Sequence, residues 1–115
     1  MTELVDAADW LGMPSVVLGE LFRVFLTGRY RARNEDALAE FLSDPVVEEV
    51  PIDREVARIY AEIVISLKHA GTPLPTNDAW VAAATARVGA PLLTFDEHFQ
   101  AISRIGTILL RAAPA

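Results

Sequence analysis

The chain has no cysteine among its 115 residues. That excludes disulfides and thiolate metal sites without fixing a compartment. Histidine is scarce, with only His69 and His98, and neither falls in a Ser-His-Asp order or an HExxH motif. A Gly-rich phosphate loop is also missing. The composition is 52% hydrophobic, yet the apolar runs extend only a few residues, too short for a bilayer span. The N-terminus carries Glu3 and Asp6 and has no basic flank before an apolar core, so no signal peptide is expected. Basic residues are in the minority, 10 against 16 acids, for a net charge of −6. Such a chain is a poor general binder of nucleic acid, because backbone affinity comes from neutralising phosphates. An enzyme whose metal ions bring positive charge to a phosphate remains compatible with it. The length suits one domain, and a cytoplasmic location is the default expectation.

What is present is a series of helices alternating with short apolar segments. Thr2 is placed to cap a short helix ending at Gly12, and Pro14 to open a second helix that stops at Gly28. Val17, Leu18, Leu21, Phe22 and Phe25 form one apolar stripe on that second helix. Glu20 lies off its centre and reads as a surface or rim acid. Arg23, Arg29, Arg31 and Arg33 form the one basic concentration, a solvated connection or a phosphate-contacting or docking rim. Asn34 is expected to cap a helix whose Leu38, Phe41 and Leu42 face inward. Val46–Pro51 reads as a short strand. Asp53 caps the clearest helix, in which Val56, Ile59, Tyr60, Ile63, Val64 and Leu67 follow the helical template as far as Gly71. Thr76 or Asn77 caps an Ala-rich helix closed by Gly89. Pro91–Thr94 is a strand, Asp96 opens a helical turn, and Thr107–Leu110 is a last strand. The tail from Arg111 is expected to fray. This alternation predicts an α/β fold with a short parallel sheet.

Two acids stand out in this pattern. Asp78 lies at a helix entrance and Asp96 just past a strand exit. A parallel sheet brings such ends to the same edge, where these folds bind ligands. Two carboxylates with oxygen-only chemistry suit Mg²⁺ or Mn²⁺. Each acid also has a purely structural role open to it, since the helix dipole and N-capping favour Asp there regardless of function. His98 reads as a rim residue, and His69 as a complement to its helix dipole.

The segments PSVVLGELF, PLPTNDAWVAAAT and LLTFDEHF together resemble the PIN-domain ribonucleases of the VapC type, toxins of bacterial toxin–antitoxin pairs. The resemblance covers essentially the whole chain, in order and spacing. It implies a PIN-like three-layer α/β/α domain across residues 1–115 and a metal-dependent endoribonuclease acting on single-stranded RNA. It puts the family's second, third and fourth acids on Glu20, Asp78 and Asp96, as catalytic residues and ligands of Mg²⁺ or Mn²⁺. Thr94 and Asn77 become supporting polar groups. The implied partners are the RNA substrate, a cognate antitoxin and a second copy of the chain, paired through helices near Leu18–Leu26. Several carboxylates suit a hard divalent ion that must keep positions free for water and phosphate oxygen.

One family element has no match. The family opens with an apolar strand ending in an Asp, its first acid, and that strand lies inside the sheet. Here Met1 begins in what would be the next helix, and Asp6 matches nothing. The expectation is therefore a truncated PIN-like domain with a gap beside Val46–Val50 and Leu92–Thr94, and weak or absent activity for the chain alone. A misannotated start, a fragment and a natural loss would each produce this. The alternative function is a catalytically impaired pseudo-toxin that binds an antitoxin-like helix. A receiver-type phosphate domain shares acids at strand ends but would need a lysine on a late strand end, which is missing.

Overall fold

Residues 7–110 are described by the computed structural model. The Thr2 cap, Asp6 and the tail from Arg111 lie outside them. The chain divides into two units, Met1–Pro51 and Ile52–Ala115.

In the first unit, strand β1 (Leu11–Pro14) leads into helix α1 (Ser15–Thr27), helix α2 (Arg31–Leu42) and strand β2 (Val47–Val50). The two strands pair in parallel, Leu11 opposite Val47 and Pro14 opposite Val50. This corrects one expectation. Leu11–Pro14 is a strand, not the end of one helix and the start of the next. The strand at Val46–Val50 accordingly has a hydrogen-bonded neighbour on one edge that was not expected from the sequence. Neither Gly12 nor Met13 favours a strand strongly; pairing overrides local preference, as it often does in sheets. Trp10 reinforces the pairing, its indole N–H donating to Glu48 Oε2 at 2.7 Å. The Ser15 hydroxyl donates to the Val50 carbonyl at 3.2 Å, tying the start of α1 to the end of β2.

The α1 helix stops at Gly28 as expected. Helix α2 begins earlier than Asn34, because the Asn34 N–H already donates to the Tyr30 carbonyl at 2.9 Å. Asn34 is thus a helical residue and not the cap, and Arg31 and Arg33 belong to the helix rather than the turn. Among the described residues of this unit, Leu18, Leu38 and Val50 are the buried apolar side chains. Phe41 and Phe22, expected inward, are 38% and 40% exposed.

The second unit is built on helix α3 (Arg54–His69) packed against helix α4 (Thr76–Val88). Asp53 caps α3 by accepting the Val56 N–H at 2.9 Å, and Gly71 follows its end at φ +74°. Val56, Ile63 and Leu67 are buried at the predicted spacing, while Val64 at the stripe's margin stays exposed. Helix α4 contributes Ala79, Val81, Ala82, Ala83 and Ala84 to the core. A run of alanines lets helix backbones approach closely, so the low side-chain volume here serves packing. Tyr60 and Trp80 stack across the two helices with ring centroids 3.8 Å apart. Arg87 pairs with Glu55 at 3.0 Å along the same contact. Pro75, not Thr76 or Asn77, precedes the helix, and Thr76 is its first residue.

After Gly89, at φ +70°, come strand β3 (Leu92–Thr94), a 3-10 turn (Glu97–Ala101) and strand β4 (Thr107–Leu109). The strands β3 and β4 pair in parallel, Leu92 opposite Thr107. Phe99 and Ile102 are buried below the turn. Among the described residues the parallel pairing therefore consists of two two-stranded sheets, β1–β2 and β3–β4. No helix among them is long and apolar enough to cross a membrane.

Candidate active site

At the exit of β3 the chain turns sharply, and its polar groups satisfy one another. Thr94 ends the strand, and its Oγ1 accepts the Asp96 N–H at 3.0 Å. Asp96 caps the 3-10 turn, its Oδ1 accepting the His98 N–H at 2.9 Å. The His98 ring returns to the same oxygen, Nδ1 to Oδ1 at 2.6 Å. Since an ionised carboxylate only accepts, Nδ1–H is the donor. Donors from the His98 backbone and then its ring hold the Asp96 carboxyl below the ordinary carboxylate range.

Asp78 lies in the first turn of α4, where the helix N-terminus favours negative charge. Even so, its carboxyl is pushed up from the ordinary value. Partial burial is the main cause, and the Asp96 charge adds to it, while His98 acts in the opposite direction. Asp78, Asp96 and His98 thus lie within electrostatic reach of one another in the second unit. Asn77, beside Asp78, is exposed, and Thr94 is half-buried. Glu20 belongs to the first unit, half-buried on α1 and two residues past the buried Leu18.

The oxygen groups at the α4 entrance and the β3 exit are two carboxylates and a hydroxyl, all hard ligands. One carboxylate oxygen, Asp96 Oδ2, takes no hydrogen bond from the described residues. Among those residues no three His, Asp or Glu side chains form a group that could hold an ion by themselves. Mg²⁺ commonly takes one or two carboxylates and keeps several waters, so the pair fits such an ion better than one needing a full protein cage. A divalent cation would relieve both causes that penalise charge on Asp78. His98 was read from the sequence as a rim residue. The available signal was the Asp-x-His spacing at a turn, which returns the side chain of residue i+2 to the capping acceptor.

The profile of the PIN-domain family matches residues 2–105, across both units. Ribonuclease VapC5 of Mycobacterium tuberculosis is 32% identical over 100 residues, covering 87% of this chain and 74% of its own length. The crystal structure of VapBC-5 from the same organism, a member of the VapBC toxin–antitoxin systems, superposes with a TM-score of 0.72 at 30% identity. That likeness covers 84% of this chain and 79% of the other. VapBC2 from Rickettsia felis, crystallised on a DNA fragment from its promoter, gives a TM-score of 0.82 over 93% of this chain and 80% of that one. At 23% identity the last likeness bears on the fold alone. With Asp78 entering α4, Asp96 leaving β3 and the match running through both segments, the chain belongs to the PIN-domain family, among its VapC-type members.

Proposed function

We propose that this chain is an endoribonuclease of the VapC kind, the toxin of a toxin–antitoxin pair, and that its action depends on Mg²⁺ or Mn²⁺. The observation that carries this is the carboxylate pair Asp78 and Asp96, close enough for one charge to raise the proton affinity of the other. That pair occurs in a chain whose relatives include a VapC ribonuclease. Asp78 and Asp96 are the ion's ligands in this reading, and Glu20 is the third acid. Thr94 fixes the turn that presents Asp96, and Asn77 flanks Asp78 as a supporting amide. A bound ion would lower the pKa of a water for in-line attack on a phosphodiester and offset charge on the phosphate. The protein's own part is to keep Asp96 ionised and in one orientation and to limit water around Asp78. The substrate is RNA, the cellular setting cytoplasmic, and residues 1–115 act as one PIN-like domain.

The partners in this reading are a cognate antitoxin and a second copy of the chain. Support comes from α1 and the turn after it, where Phe22, Val24, Leu26 and Tyr30 are large, apolar or aromatic, and exposed. The same surface supports the alternative, a catalytically impaired module that binds an antitoxin helix without cleaving RNA.

Incubating the chain with single-stranded RNA separates the two. The ribonuclease reading expects slow cleavage with Mg²⁺ or Mn²⁺, suppressed by a chelator. Asp78→Ala and Asp96→Ala should each reduce it by about a hundredfold or more, with circular dichroism unchanged, and Glu20→Ala should follow them. Undiminished cleavage in both Asp variants would remove the site assignment. No cleavage at any metal concentration, together with calorimetric binding no tighter than millimolar, would favour the binding module.

A further inference from the structure

Asp96 is held firmly for a half-exposed acid. Its Oδ1 takes the His98 backbone N–H at 2.9 Å and the His98 ring at 2.6 Å, while the Asp96 N–H is itself fixed on Thr94 Oγ1. Backbone and carboxylate are both tethered, yet the His98 side chain is 76% exposed. Packing therefore gives no reason for the ring to lie where it does. Its single partner at hydrogen-bond distance among the described residues is the carboxylate.

We infer that His98 is a positioning residue which occupies Asp96 Oδ1 and leaves Oδ2 as the one oxygen that Asp96 offers to a divalent ion. This rests on the metal-dependent reading above and adds a statement about ion choice. A carboxylate with one oxygen engaged by two donors is confined to monodentate binding. Mg²⁺, with its strict octahedral geometry, accepts monodentate carboxylates, and an octahedral Mn²⁺ does the same. Ca²⁺ accommodates bidentate carboxylates and larger ligand numbers. The ring at Oδ1 thus favours the smaller octahedral ions over Ca²⁺. It also fixes the Asp96 orientation in advance, as partners behind a ligand generally do.

The test measures Mn²⁺ binding by the loss of the free-ion paramagnetic resonance signal, and Ca²⁺ binding by calorimetry. It uses the full chain and its His98→Ala, His98→Asn and Asp96→Asn variants. His98→Ala is expected to weaken Mn²⁺ by about tenfold or more and to weaken Ca²⁺ less, narrowing the discrimination between them. His98→Asn should recover most of the Mn²⁺ affinity, because its Nδ2 lies as many bonds from Cα as the imidazole Nδ1 and can donate to the same oxygen. The ring is exposed, so neither variant removes buried packing, and matching melting temperatures check this. An Mn²⁺ affinity within twofold of wild type in His98→Ala would overturn the positioning role. So would a loss that Asn does not recover, since that would make the imidazole itself a ligand. Failure of the wild-type chain to bind Mn²⁺ more tightly than Asp96→Asn would instead overturn the metal site.

Discussion

The two aspartates at the β3 exit and α4 entrance are displaced in opposite directions, and their stability effects have opposite signs. Asp78 binds its proton more tightly in the folded chain than its ordinary value of 3.8 implies. The folded state then holds more proton than the unfolded one over the interval above 3.8, and stability falls as pH rises through it. Asp96 is displaced downward, so its contribution is present above 3.8 and lost as pH falls below. Asp78→Asn should therefore raise the melting temperature near neutral pH, a gain that disappears under acid conditions where both states are protonated. Asp96→Asn should lower it near neutral pH, with the loss shrinking in acid. Calorimetric melts at the two pH extremes check both signs. Equal shifts for the two variants would contradict the assigned causes. A site that costs stability while waiting for a ligand is a familiar trade-off. The positions of both aspartates were legible in the sequence, because periodicity locates a helix entrance and a strand exit. Glu20 was not: the helical wheel put it on the rim, and only the resemblance marked it. The His98–Asp96 contact was not legible, because it depends on a turn returning the side chain to its own cap, which periodicity does not show.

At the scale of elements, legibility followed the strength of the local signal. The α3 helix was readable almost to the residue, since Asp53, the apolar stripe and Gly71 each mark it independently. The strand β1 was not, because its four residues gain their conformation from Val47–Val50, far along the chain. The onsets of α2 and α4 were misplaced for a different reason: Tyr30 and Pro75 hold the capping positions without a side-chain cap, so the nearest polar residues mark each start too late. Two substitutions probe the elements that carry the site. Gly89, which ends α4 at φ +70°, has open space around a would-be Cβ. Gly89→Ala should thus cost about 1 kcal/mol from backbone strain alone, read from denaturant midpoints. Ala83 is fully buried in α4. Ala83→Leu should cost about 1–3 kcal/mol by overpacking and separate α4 from its neighbours, lowering ion affinity at Asp78 as well as stability.

At the scale of the whole molecule, charge sets the terms of any encounter with RNA. A net charge of −6 repels a polyanion, so a chelator should abolish RNA retention in a filter-binding assay. Raising monovalent salt should not restore it, because screening weakens repulsion without supplying a bridge. Retention unaffected by chelation would point to the arginines at Arg23–Arg33 as the contact. The two tryptophans fall one in each unit, in dissimilar surroundings. Trp10 is 38% exposed, with its indole N–H on a carboxylate, whereas Trp80 is half-buried and stacked on Tyr60. Their emission should differ in wavelength and in susceptibility to iodide quenching. A Trp10→Phe chain, excited where tyrosine does not absorb, would thus carry a single tryptophan reporting on Ile52–Ala115, and a Trp80→Phe chain one reporting on Met1–Pro51. Natural sequence has in effect installed an optical label in each half, and the two melting curves would reveal whether the halves come apart together or in turn.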